Sequence, residues 1–508
     1  MEFVNDNWTK HKIWSNKSFA TILAIFFLLF AKSSAAQQIY DLHQCKELLL
    51  SQNYDIQIAK EESGSSTAIR KSVYTQFLPQ FSFTGSYMRT DKKFNLLSED
   101  MFAPVVPYLA VDYENWELKL EELKNNPGLA AITFAIDPST NQPYYDADGN
   151  PVFRYYTYLP KEEFEMGSKN IYLLNLGMMQ PIYTGGKIKH SYAISKETEK
   201  ISYAQYDLSI QKAIYKMEKD FWSHISIQQK LLLAQQYQRM LEQILSDLEN
   251  IRDEGFILEN KVMQAKVKLN EAKLMVLKAE NGLELSKMNL CQQLGISYSE
   301  EIIFSEKIMI ENTEAEVLKS AKDSALNNRK ELEMLDAAVN IAESSKKLAA
   351  SRFFPNIGLT ANYFWSNPNP YNGFKEEFGG NWNVGVGCNI PLWHWGDRMH
   401  THTAAQHKLK VAELQKEQTT ALIELQTNQA IFQMQEAGSK LRFCEIAVKE
   451  AEKNLELAEN TYAEGIISLT DLLQAQTSWM NARTELVEAQ TQYKIQEAYL
   501  EMVKGTIH

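Results

Sequence analysis

Two stretches decide the fold: "EGFILENKVMQAK", Glu254 to Lys266, and "EGIISLTDLLQAQ", Glu464 to Gln476. Each places a glycine inside a long helical pattern, and Gly255 and Gly465 stand 210 residues apart. The same offset relates Pro181 in "QPIYTGGKI" to Pro391 in "IPLWHWGDR", Gly186 to Gly396, His190 to His400, and Gly295 in "QLGI" to Gly505 in "VKGT". Pro79 in "QFLPQFSF" matches Pro355 in "RFFPNIGL" at an offset of 276, which leaves an insertion of 66 residues in the first half. A register kept over more than a hundred residues marks an internal duplication.

Heptads run on both sides of each glycine. Leu441, Cys444, Val448, Ala451, Leu455, Ala458 and Tyr462 recur at spacings of three and four, and Leu472, Ala475, Trp479, Ala482, Leu486, Ala489 and Tyr493 continue the seam. Val262, Ala265, Leu269, Ala272, Val276, Ala279 and Leu283 form its counterpart in the first half. This period specifies coiled-coil packing with a left-handed supercoil. Glycine stops one helix and lets the chain reverse, so Gly255 and Gly465 read as the tips of two long helical hairpins.

Four shorter segments alternate with period two. "QFSFTGSY", "NIGLTANY" and "WNVGVGCNI" each carry one apolar row, and "YLLNLGMM" does so more weakly. Such alternation specifies strands. The polar row is almost all Asn, Gly, Ser and Thr, small and uncharged, and Tyr87, Tyr363 and Trp382 stand near strand ends. A membrane barrel with a wet interior and an aromatic girdle has this pattern. Four strands are too few to close, since about eight make the smallest barrel; copies must combine, giving eight strands as a dimer or twelve as a trimer.

The N-terminus gives an address. Lys10, His11, Lys12 and Lys17 precede the apolar run "FATILAIFFLLFA", Phe19 to Ala31, and Ser34 and Ala36 suit the −3 and −1 positions of a cleavage site. Residues 1–36 therefore read as a secretory signal peptide. The formal charge of −12, without a basic stripe, argues against nucleic acid as a partner. No phosphate loop, nucleophile elbow or zinc-hydrolase motif is present, so neither enzyme activity nor a cofactor is expected. His394, His400, His402 and His407 read as solvated polarity rather than a metal site, and "DADGN" at Asp146 as a turn, its glycine being misplaced for a calcium loop. Cys388 and Cys444 read as small hydrophobes.

Two tip-bearing hairpins and four strands in two repeats resemble the TolC-like outer-membrane factor family. The resemblance is carried by "YAEGIISLTDLLQAQTSWMNARTELVEAQTQY", "DEGFILENKVMQAKVKLNEAK", "QPIYTGGK" and "IPLWHWGDR", and covers nearly all the mature chain outside the insertion. The expected fold class is an α+β membrane protein: four strands per protomer toward a trimeric twelve-stranded outer-membrane barrel, plus a long periplasmic helical coiled-coil barrel. The expected first repeat spans 37–310, with strands near 77–90 and 169–182, an extracellular insertion near 94–167, and a hairpin over 187–295 with its tip at 255. The second spans 311–508, with strands near 354–366 and 380–391 and a hairpin over 397–504 with its tip at 465.

The resemblance implies a passive channel-tunnel of an efflux or type I secretion system. Its expected partners are two further copies, a periplasmic adaptor at the tips Gly255 and Gly465, an inner-membrane pump of RND or ABC type, and outer-membrane lipid. The family's acidic constriction maps onto Asp471 and, at its second position, Gln474; its latch tyrosine maps onto Tyr462. The first repeat departs from the pattern, with Lys261 where the family has an aspartate; Lys261 is expected to pair with Asp471 or Glu259 instead. The rival reading is a soluble periplasmic coiled-coil scaffold or adaptor without a pore.

Overall fold

The computed structural model describes residues 38–299, 301–308 and 315–507, so the expected signal peptide lies outside the described residues. The chain divides into two compact units. One, Tyr74–Ile188 with Ala350–Gly396, is built on a sheet; the other, through Val73 with Lys189–Ala349 and Asp397 onward, is helical.

The sheet holds four antiparallel strands in chain order: β1 (Gln80–Arg89), β2 (Asn170–Tyr183), β3 (Asn356–Asn367) and β4 (Gly379–Asn389). β1 begins at Gln80 rather than near 77, because Thr75–Phe77 form a 3-10 turn and Pro79 has no N–H to give a ladder. β4 ends at Asn389, two residues before Pro391, whereas Pro181 stays inside β2 beside a register shift between Ile357 and Gly358. Alternation determines the faces. Phe81, Phe83, Val384 and Val386 lie on one side and are exposed, with Phe81 at 72% and Trp382 at 68%. Opposite them run Ser82, Thr84, Asn362 and Asn383, with Asn362 donating to Asn383 at 3.1 Å.

The insertion between β1 and β2 is a small lobe with a core of its own, in which Leu123 and Leu129 from two short helices pack on Ala110 and Phe134. Its ladders pair Met101–Pro104 with Tyr156–Leu159 and Phe94–Asn95 with Glu165–Met166. "DADGN" forms a turn: the Asp146 carboxylate accepts from the Asp148 and Asn150 amides, and Gly149 sits at φ +85°.

The helical unit contains four helices not read from the sequence: α1 (Leu42–Gln52), α2 (Tyr54–Tyr74), α5 (Ala315–Asn328) and α6 (Lys330–Ala350). The hairpins are α3 (Lys187–Asp253) with α4 (Glu259–Leu294), and α7 (Asp397–Ala463) with α8 (Leu469–Lys504). Their lengths are 67, 36, 67 and 36 residues, and every start and stop of the second pair lies 210 residues beyond that of the first. A 67-residue helix is about 100 Å long. The heptad seam is the buried seam: Val262, Ala265 and Ala272 are fully buried with Leu241 and Leu248, and Leu441, Cys444 and Val448 are buried on the second hairpin. Alanine at alternate seam positions permits this close approach.

α1 completes the first hairpin's open end. Cys45 and Leu49 pack with Phe221, Ile225, Leu290 and Leu294, beneath a parallel pairing of Gln38–Tyr40 with Ile302–Phe304. Burial pushes the Cys45 thiol up to about 12, leaving it an inert apolar filler. Gly295 ends α4 at φ +70°, and a Cβ there would lie 2.7 Å from the Gln52 carbonyl oxygen; Gly505 repeats this against Asn328, at 2.8 Å.

Candidate functional site

The site implied by the sequence lies at the two hairpin tips. Both are Schellman turns. The Gly255 amide donates to the Arg252 carbonyl at 2.7 Å and the Phe256 amide to Ile251 at 3.1 Å; Gly465 and Ile466 donate to Tyr462 and Thr461, each at 2.9 Å. Gly255 and Gly465 adopt φ +82° and +73°, a region costly for residues bearing a Cβ. Phe256, Leu258 and Ile466 are strongly exposed at the turns.

The tips share a backbone but differ in how they close. At the second, Ser468 caps α8 in a reciprocal box: its hydroxyl oxygen accepts from the Asp471 amide at 3.3 Å, while the Asp471 carboxylate accepts from the Ser468 amide at 3.1 Å and its hydroxyl at 2.7 Å. Asp471 is exposed, and these bonds, with a smaller contribution from Lys261, hold its carboxyl below the usual range. Its charge and its place in the helix cap are therefore joined in one side chain. Gln474, one turn on, is exposed.

At the first tip the equivalent cap is Leu258, which has no side-chain acceptor. Arg252 closes that tip, bonding Asp253 at 2.7 Å and Glu259 at 3.5 Å. Lys261 pairs with neither Asp471 nor Glu259 within the protomer, contrary to expectation: Arg252 already holds Glu259 and the serine cap holds Asp471. Lys261 acts on Asp471 only through its field.

Tyr462, the counterpart of Arg252 at the 210-residue offset, is half-buried in a groove of about 330 Å³ with Ile244, Asp247, Leu248, Leu472 and Gln476. Burial, then the Asp247 charge, raises its phenol pKa. The hairpins pack together here, since Leu469, Leu473 and Met480 join the core of Leu241, Val262 and Leu269. Sequence reading overlooked Gln476, only 2% exposed, whose Oε1 has no partner among the described residues. It also overlooked Arg252, although its charge at a seam position was a usable signal. Of His394, His400, His402 and His407, none joins a cluster able to hold a metal among the described residues.

Residues 322–506 match the outer membrane efflux protein family. Alkaline protease secretion protein AprF of Pseudomonas aeruginosa is 24% identical over 186 residues, which make up 37% of this chain and 38% of that protein. Nodulation protein T of Rhizobium leguminosarum bv. trifolii is 28% identical over 174 residues, 33% of this chain and 36% of that one. The aligned stretch thus spans well under half of either relative. The fold agrees over a longer span. The Campylobacter jejuni CmeC outer membrane channel superposes with a TM-score of 0.68 at 16% identity, over 92% of this chain and 85% of that one. The outer membrane protein VceC of Vibrio cholerae gives 0.67 at 14%, over 91% and 96%. Residues 322–506 are thus similar to the outer membrane efflux protein family, and the fold as a whole is similar to that of solved outer membrane channels.

Proposed function

We propose that this protein is the outer-membrane channel of a tripartite efflux or type I secretion system. Three copies close a twelve-stranded barrel, and their helical hairpins form a periplasmic tunnel that conducts substrates delivered by an adaptor and an inner-membrane pump. The observation that carries the reading is the sheet: an exposed apolar face of Phe81, Phe83, Val384 and Val386, backed by a face of small uncharged polar residues. A sheet facing lipid on one side and water on the other has this composition. The equal hairpins supply the second support, since about 100 Å of helix suits a span between two membranes. The tunnel performs no chemistry, and the pump supplies both energy and substrate choice.

The test is single-channel conductance of the purified mature protein in a planar bilayer, with membrane fractionation alongside. Outer-membrane location with small cation-preferring openings supports the channel. Recovery in the soluble periplasmic fraction, with no openings from folded protein, would replace it with the scaffold.

A further inference from the structure

The row of small polar residues on the sheet's second face stops short of the insertion. Along β2 that face carries Gly177, opposite Ser82 and Asn362, and then Asn175, opposite Thr84. Towards the insertion it turns apolar, at Leu173 and Ile171. Leu173 stands between Ser86 of β1 and Ser366 of β3, so two ladders set it on the polar face, where it remains 48% exposed. Ile171 is paired with Met88, which extends the apolar patch to β1.

Leu173 and Ile171 line a cleft of about 720 Å³ that one protomer builds by itself. Phe94 and Met166 enter it from the short ladder at the root of the insertion, and Pro368 and Phe374 from the loop that joins β3 to β4. Two contacts tie that loop to the root. A Cβ on Gly167 would lie 3.8 Å from Pro368 Cγ, and Lys93 Nζ lies 3.4 Å from the Glu376 carboxylate. Phe374 is held at φ +56°, a costly conformation for a residue bearing a Cβ, and stays 45% exposed. Phe94 is exposed as well. The walls are therefore apolar and open to solvent.

The charges of the lining have one sign. Lys92 and Lys93 belong to it, and no carboxylate joins them among the described residues. Lys92 is exposed, and Lys93 meets Glu376 in a partly exposed pair of the kind that contributes little and that an incoming anion can replace.

We propose that this cleft binds an amphiphilic anion: an apolar body bearing one carboxylate, sulfonate or phosphate group. The body lies against Leu173, Phe94 and Phe374, and the anionic group meets Lys92 and Lys93. Small-molecule sites enclose roughly 300–1,000 Å³, so the cleft suits a solute rather than an element of another protein. The route of entry rests on the channel reading. The cleft is on the polar face, opposite the side of Phe81 and Val384, so its ligand arrives through the water of the channel and not from lipid.

The test uses 1-anilinonaphthalene-8-sulfonate, an aromatic sulfonate that fluoresces on leaving water. It is titrated against the mature protein in phosphatidylcholine nanodiscs, with empty nanodiscs as blank. N-phenyl-1-naphthylamine, the same rings without the sulfonate, is the uncharged control. The expected result is saturable binding of one sulfonate per protomer. Lys92→Ala combined with Lys93→Ala should weaken the sulfonate about tenfold or more and leave the uncharged probe unchanged, since a charge-assisted contact is worth about one decade in affinity. Leu173→Asn, which continues the polar row, should weaken both probes by roughly tenfold through lost apolar contact. Phe374→Asn removes a wall at a backbone angle that asparagine tolerates, and tests the same point should Leu173→Asn fold poorly. Val384→Ala, on the opposite face, should change neither probe.

Sulfonate binding no greater than that of empty nanodiscs would overturn the site, as would saturable binding that the lysine, Leu173 and Phe374 variants all leave unchanged. Loss from Leu173→Asn or Phe374→Asn without loss from the lysine pair would overturn its assignment to anions. Single-channel conductance of the same preparations keeps these outcomes apart from the channel reading. Conducting protein without binding sinks only this inference; variant-sensitive binding by folded protein that does not conduct upholds the cleft and sinks the channel.

Discussion

Asp471 caps α8, and on the proposed channel reading its charge also stands at the periplasmic mouth; different substitutions separate the two. Ser468→Ala removes the cap acceptor but leaves the carboxylate, whereas Asp471→Asn removes the charge but keeps an oxygen that can accept from Ser468. An N-cap serine is worth about 1 kcal/mol. At 1.4 kcal/mol per tenfold, losing it should raise local opening of the first turn of α8 roughly fivefold. Amide hydrogen exchange at Asp471 and Leu472, whose N–H groups donate to Ser468, reads this directly. Single-channel reversal potentials in a salt gradient read the charge. The expected outcome is a double dissociation: Ser468→Ala deprotects the turn about fivefold and leaves cation preference intact, and Asp471→Asn weakens cation preference with exchange nearly unchanged. Because the Asp471 carboxyl titrates below the ordinary carboxylate range, its charge persists as pH falls toward 4 and is lost only below that, and on the proposed reading the expected cation preference follows it. If Asp471→Asn deprotects the turn yet leaves selectivity untouched, Asp471 is a helix cap and no part of a constriction.

Further predictions follow from contacts elsewhere in the helical unit. Gly255→Ala should cost about 1–2 kcal/mol, the price of a left-handed alanine, since nothing lies within 4 Å of its Cβ; Gly295→Ala should cost roughly 1–3 kcal/mol more, because the Gln52 carbonyl must also move, and equal thermal shifts would refute the packing at Gly295. His224 is 3% exposed, bonded to Ser286 at 2.7 Å and packed on Phe304. Burial, then the Lys287 charge, lowers its pKa from 6.5 to about 4, so the unfolded chain takes up the proton first on acidification. The stability it contributes is full above pH 6.5 and is lost between pH 6.5 and 4, roughly 3 kcal/mol in all; His224→Gln should flatten the melting temperature over that window, and parallel curves would refute the effect. Lys261→Ala should leave closed-state occupancy unchanged, since among the described residues of the protomer Glu259 is held by Arg252 and Asp471 by Ser468, and neither by Lys261; a large rise in open probability would instead place it in a contact between copies.

What could be read in one dimension was periodic. The alternation of "QFSFTGSY" and "WNVGVGCNI", the three-four seam from Leu441 to Tyr462, and the glycines at 255 and 465 each express a local geometry that a few neighbouring residues impose. The offsets of 210 and 276 also needed no coordinates, because a duplication is preserved in the order of residues. Four helices escaped notice: α1, α2, α5 and α6 are short and polar, and α2 exposes Tyr54, Ile58 and Ile69. Their apolar stripes take meaning only from the surfaces they cover, such as Cys45 and Leu49 against Phe221.

At the tips the sequence determined where the chain turns, and only the tertiary structure decided which charges meet. Arg252, Glu259 and Lys261 lie close together in the chain, and nothing in their order says that Arg252, rather than Lys261, reaches Glu259. That outcome depends on the angle at which α3 and α4 leave the turn. Likewise "SLTD" is legible as a cap, but that Asp471 also lies within the field of Lys261 required two hairpins, 210 residues apart in the chain, to pack along one core. Local geometry follows from local sequence because backbone sterics act over a few bonds, whereas ion pairs, burial and their pKa shifts follow from distances that only the folded packing sets.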